Sequence, residues 1–220
     1  MSAPAAAAQN VPQVVPRATG DDATLTGVSC LSRAFCVSSG FYIALAKGGT
    51  VFGLAEVWNG RQWSTRTVSG FSSGNSDVLD AIAVSCGTPS TCMLVGEHFS
   101  NPSRPVQFAE IAGGLGSAPL LWNNPAGAKW SVLDDVKCMG ATFCMAVGTY
   151  SATAHGGRVL TQLWNGSKWR RLATPSPAKS LNSDLGELYC LSASDCLARA
   201  RPRRRTLSLS PSGGTGAAGS

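Results

Sequence analysis

The sequence predicts an all-β protein built of repeated four-stranded antiparallel blades, and three observations carry that prediction. All eight cysteines fall into one spacing, C-x5-C, as Cys30/Cys36, Cys86/Cys92, Cys138/Cys144 and Cys190/Cys196. The first members lie 56, 52 and 52 residues apart, and a fixed period of that size marks a repeat architecture. All six tryptophans follow the same rhythm in three pairs, Trp58/Trp63, Trp122/Trp130 and Trp164/Trp169. A composition of 44% hydrophobic and 14% charged residues with 25 Gly and 12 Pro suits many short strands joined by turns.

Residues 1–23 are rich in Ala, Pro and polar residues and read as a flexible leader or the remnant of an export signal. The first unit, about 24–77, contains four apolar segments: one through Cys30, one from Phe35 to Leu45, one from Val51 to Trp58 and one from Trp63 to Val68. Gly48-Gly49 and Asn59-Gly60 punctuate them, and Asn-Gly favours the tight turn between antiparallel strands because both residues tolerate positive φ. The second and third units, about 78–131 and 132–183, repeat these events. In each, the second strand opens at the second cysteine and is expected to end at a glycine: Gly40, Gly96 and Gly148.

Two departures break the pattern. Glu56 and Gln162 stand two residues before their Trp, whereas Glu110 stands twelve before Trp122. The segment IAGGLGSAPL is therefore read as an insertion of about ten residues, a surface loop. The fourth unit, about 184–198, starts with LGELYCLSASDC and then changes to LARARPRRR. Residues 199–220 are expected to form a disordered tail, basic and then Gly/Ser-rich. The change at Arg199 resembles a shifted reading frame, so the chain reads as a truncated or frame-shifted fragment whose open blade edges favour self-association.

The formal charge of +6 hints at nucleic-acid binding until it is located. Arg199, Arg201, Arg203, Arg204 and Arg205 supply five of those charges, so residues 1–198 carry only +1. A basic groove across the repeats is unsupported, and attraction to phosphate would belong to the tail. No stretch is long and apolar enough for a spanning helix.

Five residues between two cysteines, including turn formers such as Ser32, Gly87-Thr88-Pro89 and Gly140, place each pair across a β-hairpin. Opposed Cα atoms there lie about 4.5–5.5 Å apart, within reach of a disulfide. Zinc is the competing reading, but its paired cysteines are usually spaced by two to four residues, and these pairs would fall on different units. Disulfides in turn imply an oxidising, extracellular compartment. The tryptophans carry two readings as well: packing of adjacent strands, which one pair per unit favours, and exposed faces for sugar binding.

Other candidates are weaker. His98 and His155 stand at different distances from their cysteines, so a symmetric metal site is not expected; each reads as a solvent-facing loop residue. Glu56 and Glu110 share a repeat position and could form an acid pair in a channel, although a solvated or turn-capping carboxylate is the commoner fate. No catalytic, cofactor-binding or metal-ligating set emerges, and neither a G-x-S-x-G nor a phosphate-binding glycine loop is present.

The unit V-S-C-x5-C-x-A-V-G followed by L-x-E-x-W-N-G-x-x-W resembles the cysteine-containing repeats of secreted bacterial β-propeller-like proteins over residues 24–198. That resemblance implies a partial β-propeller, three complete blades plus half a fourth, and an exported protein; it implies no activity. The expected function is a secreted, non-enzymatic binding or scaffold module with a protein or glycan ligand, and the alternative is a carbohydrate-binding or carbohydrate-active propeller. The S-x-D-x-G-x-x-W box of sialidase-type propellers is missing.

Overall fold

Strand formation follows the apolar and β-branched segments closely. The computed structural model describes residues 22–44, 49–68, 78–99, 105–111, 123–153, 156–174 and 183–200. Among these residues there are thirteen strands and no helix. The first sheet holds β1 (Asp22–Ser32), β2 (Phe35–Ala44), β3 (Thr50–Trp58) and β4 (Trp63–Thr67). The second holds β5 (Val78–Thr88), β6 (Thr91–Phe99) and β7 (Val106–Ile111). The third holds β8 (Trp130–Cys138), β9 (Cys144–Ser151), β10 (Arg158–Trp164) and β11 (Trp169–Arg171), and the fourth is the hairpin β12 (Glu187–Ser192) and β13 (Asp195–Arg199).

Each sheet is an antiparallel meander, with strands hydrogen-bonded in chain order. The first two sheets are joined by a single parallel bridge, Val51 to Val78. The described strands close into neither a barrel nor a propeller ring. They form a stack in which the first strand of each unit lies against that of the next, β1 on β5, β5 on β8 and β8 on β12.

Apolar residues from facing sheets fill the three joints. Val37 and Ala55 of the first sheet meet Val84, Leu94 and Phe108 of the second. Met93, Val95 and Ala109 of the second meet Leu133, Val136, Leu160 and Trp164 of the third. Val147 of the third meets Leu188 and Cys190 of the fourth. A central sheet is thus covered on both faces, and consecutive residues of its strands are buried, as from Thr91 to Gly96 in β6.

The glycines expected to end the second strands lie inside them. Gly40, Gly96 and Gly148 pair with Leu25, Ala81 and Leu133, the residues just before a bulge at Thr26, Ile82 and Asp134. A bulge bends the first strand toward its partner. A Cβ at these glycines would overlap the carbonyl oxygens of Thr24, Asp80 and Val132 respectively. The glycine therefore permits a close approach within a continuing strand.

The Asn-Gly pairs also act differently from a two-residue turn. Trp58 pairs with Trp63 and Trp164 with Trp169, leaving four-residue loops. Gly60 and Gly166 take φ of 90° and 95°. The Asn59 side-chain oxygen accepts from the amides of Arg61 and Gln62, and that of Asn165 from Ser167 and Lys168.

Three boundaries differ from expectation. β1 begins at Asp22, inside the segment read as leader, because Asp22 and Ala23 pair with Ile43 and Tyr42. β13 ends at Arg199, which pairs with Glu187 in the backbone register and through a 2.7 Å ion pair. Trp130, read as the second tryptophan of unit two, opens β8 of the third sheet and pairs with Ser151. Trp122, His155, most of the insertion and residues 201–220 lie outside the described residues.

Candidate partner-binding surface

The expected disulfides are all present: Cys30–Cys36, Cys86–Cys92, Cys138–Cys144 and Cys190–Cys196, with Cα separations of 3.8–4.0 Å. There are no free thiols. The separations fall below the roughly 4.5–5.5 Å expected of opposed strand residues, and each pair is a register pair at the turn end of its hairpin. Cys86 is paired with Cys92 in the strand register just before Thr88 meets Thr91, and the other three bridges close equivalent hairpins.

In the first and third sheets the repeated residues form one row. Cys30, Cys36, Trp58 and Trp63 are successive cross-strand partners, as are Cys138, Cys144, Trp164 and Trp169. The Trp58 indole donates to the Arg33 carbonyl at 2.9 Å and the Trp164 indole to Ala141 at 3.3 Å, equivalent positions inside the two disulfide loops. Ring centroids within each pair are 5.7 and 5.8 Å apart and tilted, a favourable aromatic geometry. The tryptophans of units one and three therefore brace the hairpin to the far side of its sheet.

The second sheet corrects the expectation of one tryptophan pair per unit. Its row stops at Cys92 among the described residues, since β6 pairs with β7 from Met93, opposite Ile111, to His98. Trp130, which should have closed the row, belongs to the next sheet. Cys92 has no tryptophan across from it in the described register and is instead fully buried in the first joint, with Cys86, Val84 and Leu94.

The serine before the cysteine, which sequence reasoning left without a role, ties sheet to sheet. Ser29 Oγ accepts from the Cys86 amide and Ser85 Oγ from the Cys138 amide, each at 2.9 Å. At the third joint Lys137 stands in that place. There Asp135 accepts from the Leu188 amide at 2.7 Å through one oxygen and from its neighbour Val136 at 2.8 Å through the other. The signal was the recurrence of V-S-C itself.

These bonds give every sheet two distinct faces. One carries the disulfide and meets the preceding sheet; the other carries the residue before the first cysteine and meets the following sheet. In the second and third sheets the preceding-side residues Ala81, Val84, Leu133 and Val136 are at most 9% exposed. Their counterparts in the first sheet, Leu25 and Val28, are 53% and 64% exposed. On the fourth sheet the following-side residues Tyr189 and Leu197 are 61% and 73% exposed. Their counterparts in the second, Ser85 and Met93, are buried.

The open face of the first sheet holds a cavity of about 340 Å³ lined by Leu25, Thr26, Gly27, Val28, Ser38, Glu56 and Trp63. Val28, Ser38 and Glu56 are cross-strand neighbours and share that face. Ser38 Oγ is engaged, donating to the Gly27 carbonyl at 2.8 Å. Glu56 is buried, against the expectation of a solvated carboxylate, and burial raises its pKa. Glu110 is buried too, but it pairs with Leu94 on the face turned toward the first sheet. The first sheet stands between the two carboxylates, so they do not share a channel. Gln162, at the same repeat position, donates to Gln107 of the preceding sheet at 3.2 Å.

A second acidic group lies at the joint of the second and third sheets. Glu97 pairs with Asp80 across β5 and β6. Its pKa is pushed up to about 7, first by burial and then by the negative charges of Asp80 and Asp134. Burial raises the pKa of Asp80 as well. His98, expected in a solvent-facing loop, is a buried residue of β6.

Among the described residues no group of three or more His, Cys, Asp or Glu could hold a metal ion, and the thiols that zinc would need are oxidised. No helix among them is long and apolar enough to cross a membrane. Four disulfides point to an oxidising environment. No protein-family model, curated protein or solved structure matches the chain.

Proposed function

We propose that this chain is an exported, non-enzymatic binding or scaffold module made of disulfide-clamped, propeller-like repeats. The observation that carries the reading is the contrast between the joints and the ends of the stack. At the joints, cysteines, tryptophans and serines of the repeat engage one another or the next sheet. At the ends, large apolar side chains and one cavity face outward, the kind of surface that marks interaction. Export is supported by the complete pairing of the cysteines.

Carbohydrate binding is the second reading, favoured by a cavity lined by both Trp63 and the buried Glu56. Hydrolysis by the usual pair of carboxylates would need a second acid on the same cavity, and Glu110 is turned into the next joint. The folded chain should be tested against arrayed glycans and polypeptides, with the products of each incubation analysed by mass spectrometry. Binding that leaves the ligand intact is expected. Glycan cleavage that disappears in Glu56→Gln would overturn the non-enzymatic reading.

A further inference from the structure

We infer that the two open faces are complementary and that copies of this chain associate head to tail, the β12–β13 face of one copy seating on the β1 face of the next. This deepens the scaffold reading by naming the partner. The warrant is the repeat itself. Every internal joint brings a following-side face onto a preceding-side face, and among the described residues the stack ends with one of each kind exposed.

The residues concerned match those that mate inside the molecule. Val28 of the first sheet corresponds to Val84, Val136 and Leu188, all at most 9% exposed beneath a neighbouring sheet. Cys30 is exposed, whereas Cys86, Cys138 and Cys190 are buried at the same position. On the other end, Leu197 corresponds to Val37 and Met93, which are fully buried in the first two joints. Tyr189 takes the place of Ser29 and Ser85, the side chains that reach the next sheet.

By the same equivalence Tyr189 would stand over the Cys30 amide, next to the cavity that Val28 and Trp63 line. The cavity is apolar around Leu25, Val28 and Trp63 and contains one buried carboxylate, Glu56. A tyrosine offers an apolar ring with a single donor at its tip.

Such a contact is heterologous: the two patches differ, so assembly continues until a ring closes or a filament forms. That property gives a decisive experiment with the full chain. Val28→Asp spoils one face and Leu197→Asp the other; both side chains are exposed, so folding should survive, which an unchanged thermal midpoint would verify. Sedimentation velocity over a dilution series is expected to show wild-type oligomers that dissociate on dilution, and each variant alone as a monomer. An equimolar mixture of the two variants is expected to form a dimer and nothing larger, because only one good face remains on each copy. A monomeric wild type, a single variant that still associates, or a mixture that stays monomeric would each overturn the proposal. Glycan cleavage by a fully associated wild type would instead remove the non-enzymatic reading and leave head-to-tail assembly standing.

Discussion

Replacing Glu97 with glutamine should stabilise the protein at neutral and alkaline pH. The carboxyl of Glu97 is held at about 7 against an ordinary value of 4.5, because burial and the charges of Asp80 and Asp134 disfavour ionisation. A displacement of that size corresponds to about 3 kcal/mol in the ionised folded protein, at about 1.4 kcal/mol for each tenfold change. Glu97 keeps some exposure to solvent, which screens part of the repulsion, so about 2 kcal/mol should be recoverable. Glutamine keeps the shape and the hydrogen-bonding atoms while removing the charge.

The pH dependence follows from the sign of the displacement. A carboxyl raised in the folded state binds its proton more tightly there than in the unfolded chain. Wild-type stability from this group is therefore fully present below 4.5 and is lost as pH rises through about 7. The variant lacks that dependence. Urea unfolding followed by tryptophan fluorescence should give nearly equal stabilities near pH 4.5 and a gain of about 2 kcal/mol for Glu97→Gln near pH 8, or about 4–8 °C in thermal midpoint for a chain of this size. A destabilised variant at pH 8, or a difference that does not change with pH, would show that the carboxylate makes a favourable contact and would refute the reasoning.

Gly148→Ala should cost about 3 kcal/mol or prevent folding, since its Cβ has no room beside the Val132 carbonyl; urea unfolding of the variant measures the loss. Asp135→Ala removes the acceptor for the Leu188 amide and should loosen the fourth hairpin by about 2 kcal/mol, read as faster hydrogen exchange confined to residues 187–199. Joint replacement of Cys190 and Cys196 by serine opens a short loop, for which chain entropy gives about 2 kcal/mol. Limited proteolysis should then cut within the fourth hairpin and spare the first three sheets, whereas general cleavage would show that the hairpin holds the rest of the stack.

The strands and the disulfide hairpins were legible because their causes are local. A hairpin needs only alternating apolar residues, a turn and a nearby partner, and the cysteine spacing reports all three. The glycines at 40, 96 and 148 are a repeated feature with two readings, because a strand that passes close to a bulge and a strand that stops both ask for glycine. Only the partner strand distinguishes them. Spacing alone places Trp130 with Cys86 and Cys92, whereas its partner, Ser151, lies on a strand later in the chain. The buried state of Glu56 and His98 was hidden for a related reason: alternation within a strand says which residues share a face, while the sheet lying over that face is a tertiary fact. Ser29 and Ser85 carry no signal in the sequence beyond their recurrence, because a serine beside a cysteine suggests no chemistry until the neighbouring amide appears 2.9 Å away.

Equal positions in the repeat do not have equal surroundings, and the difference has a direction. Glu56, Glu110 and Gln162 stand at one place in their sheets, yet each looks toward the sheet before it. Gln162 finds Gln107 there, and Glu110 is enclosed against the first joint. Glu56 looks out of the stack into a cavity, since no described sheet precedes its own. The same direction governs Ser29, Ser85, Lys137 and Tyr189, which look toward the sheet that follows. Two serines accept a cysteine amide, Asp135 near Lys137 accepts the Leu188 amide instead, and Tyr189 faces solvent. Side-chain identity therefore does not by itself report the surroundings: Glu56 and Glu110 are the same residue, one at an open face and the other at a joint. A partner for this chain should be sought first at the two ends of the described stack, where the large apolar side chains of Leu25, Val28, Tyr189 and Leu197 are exposed.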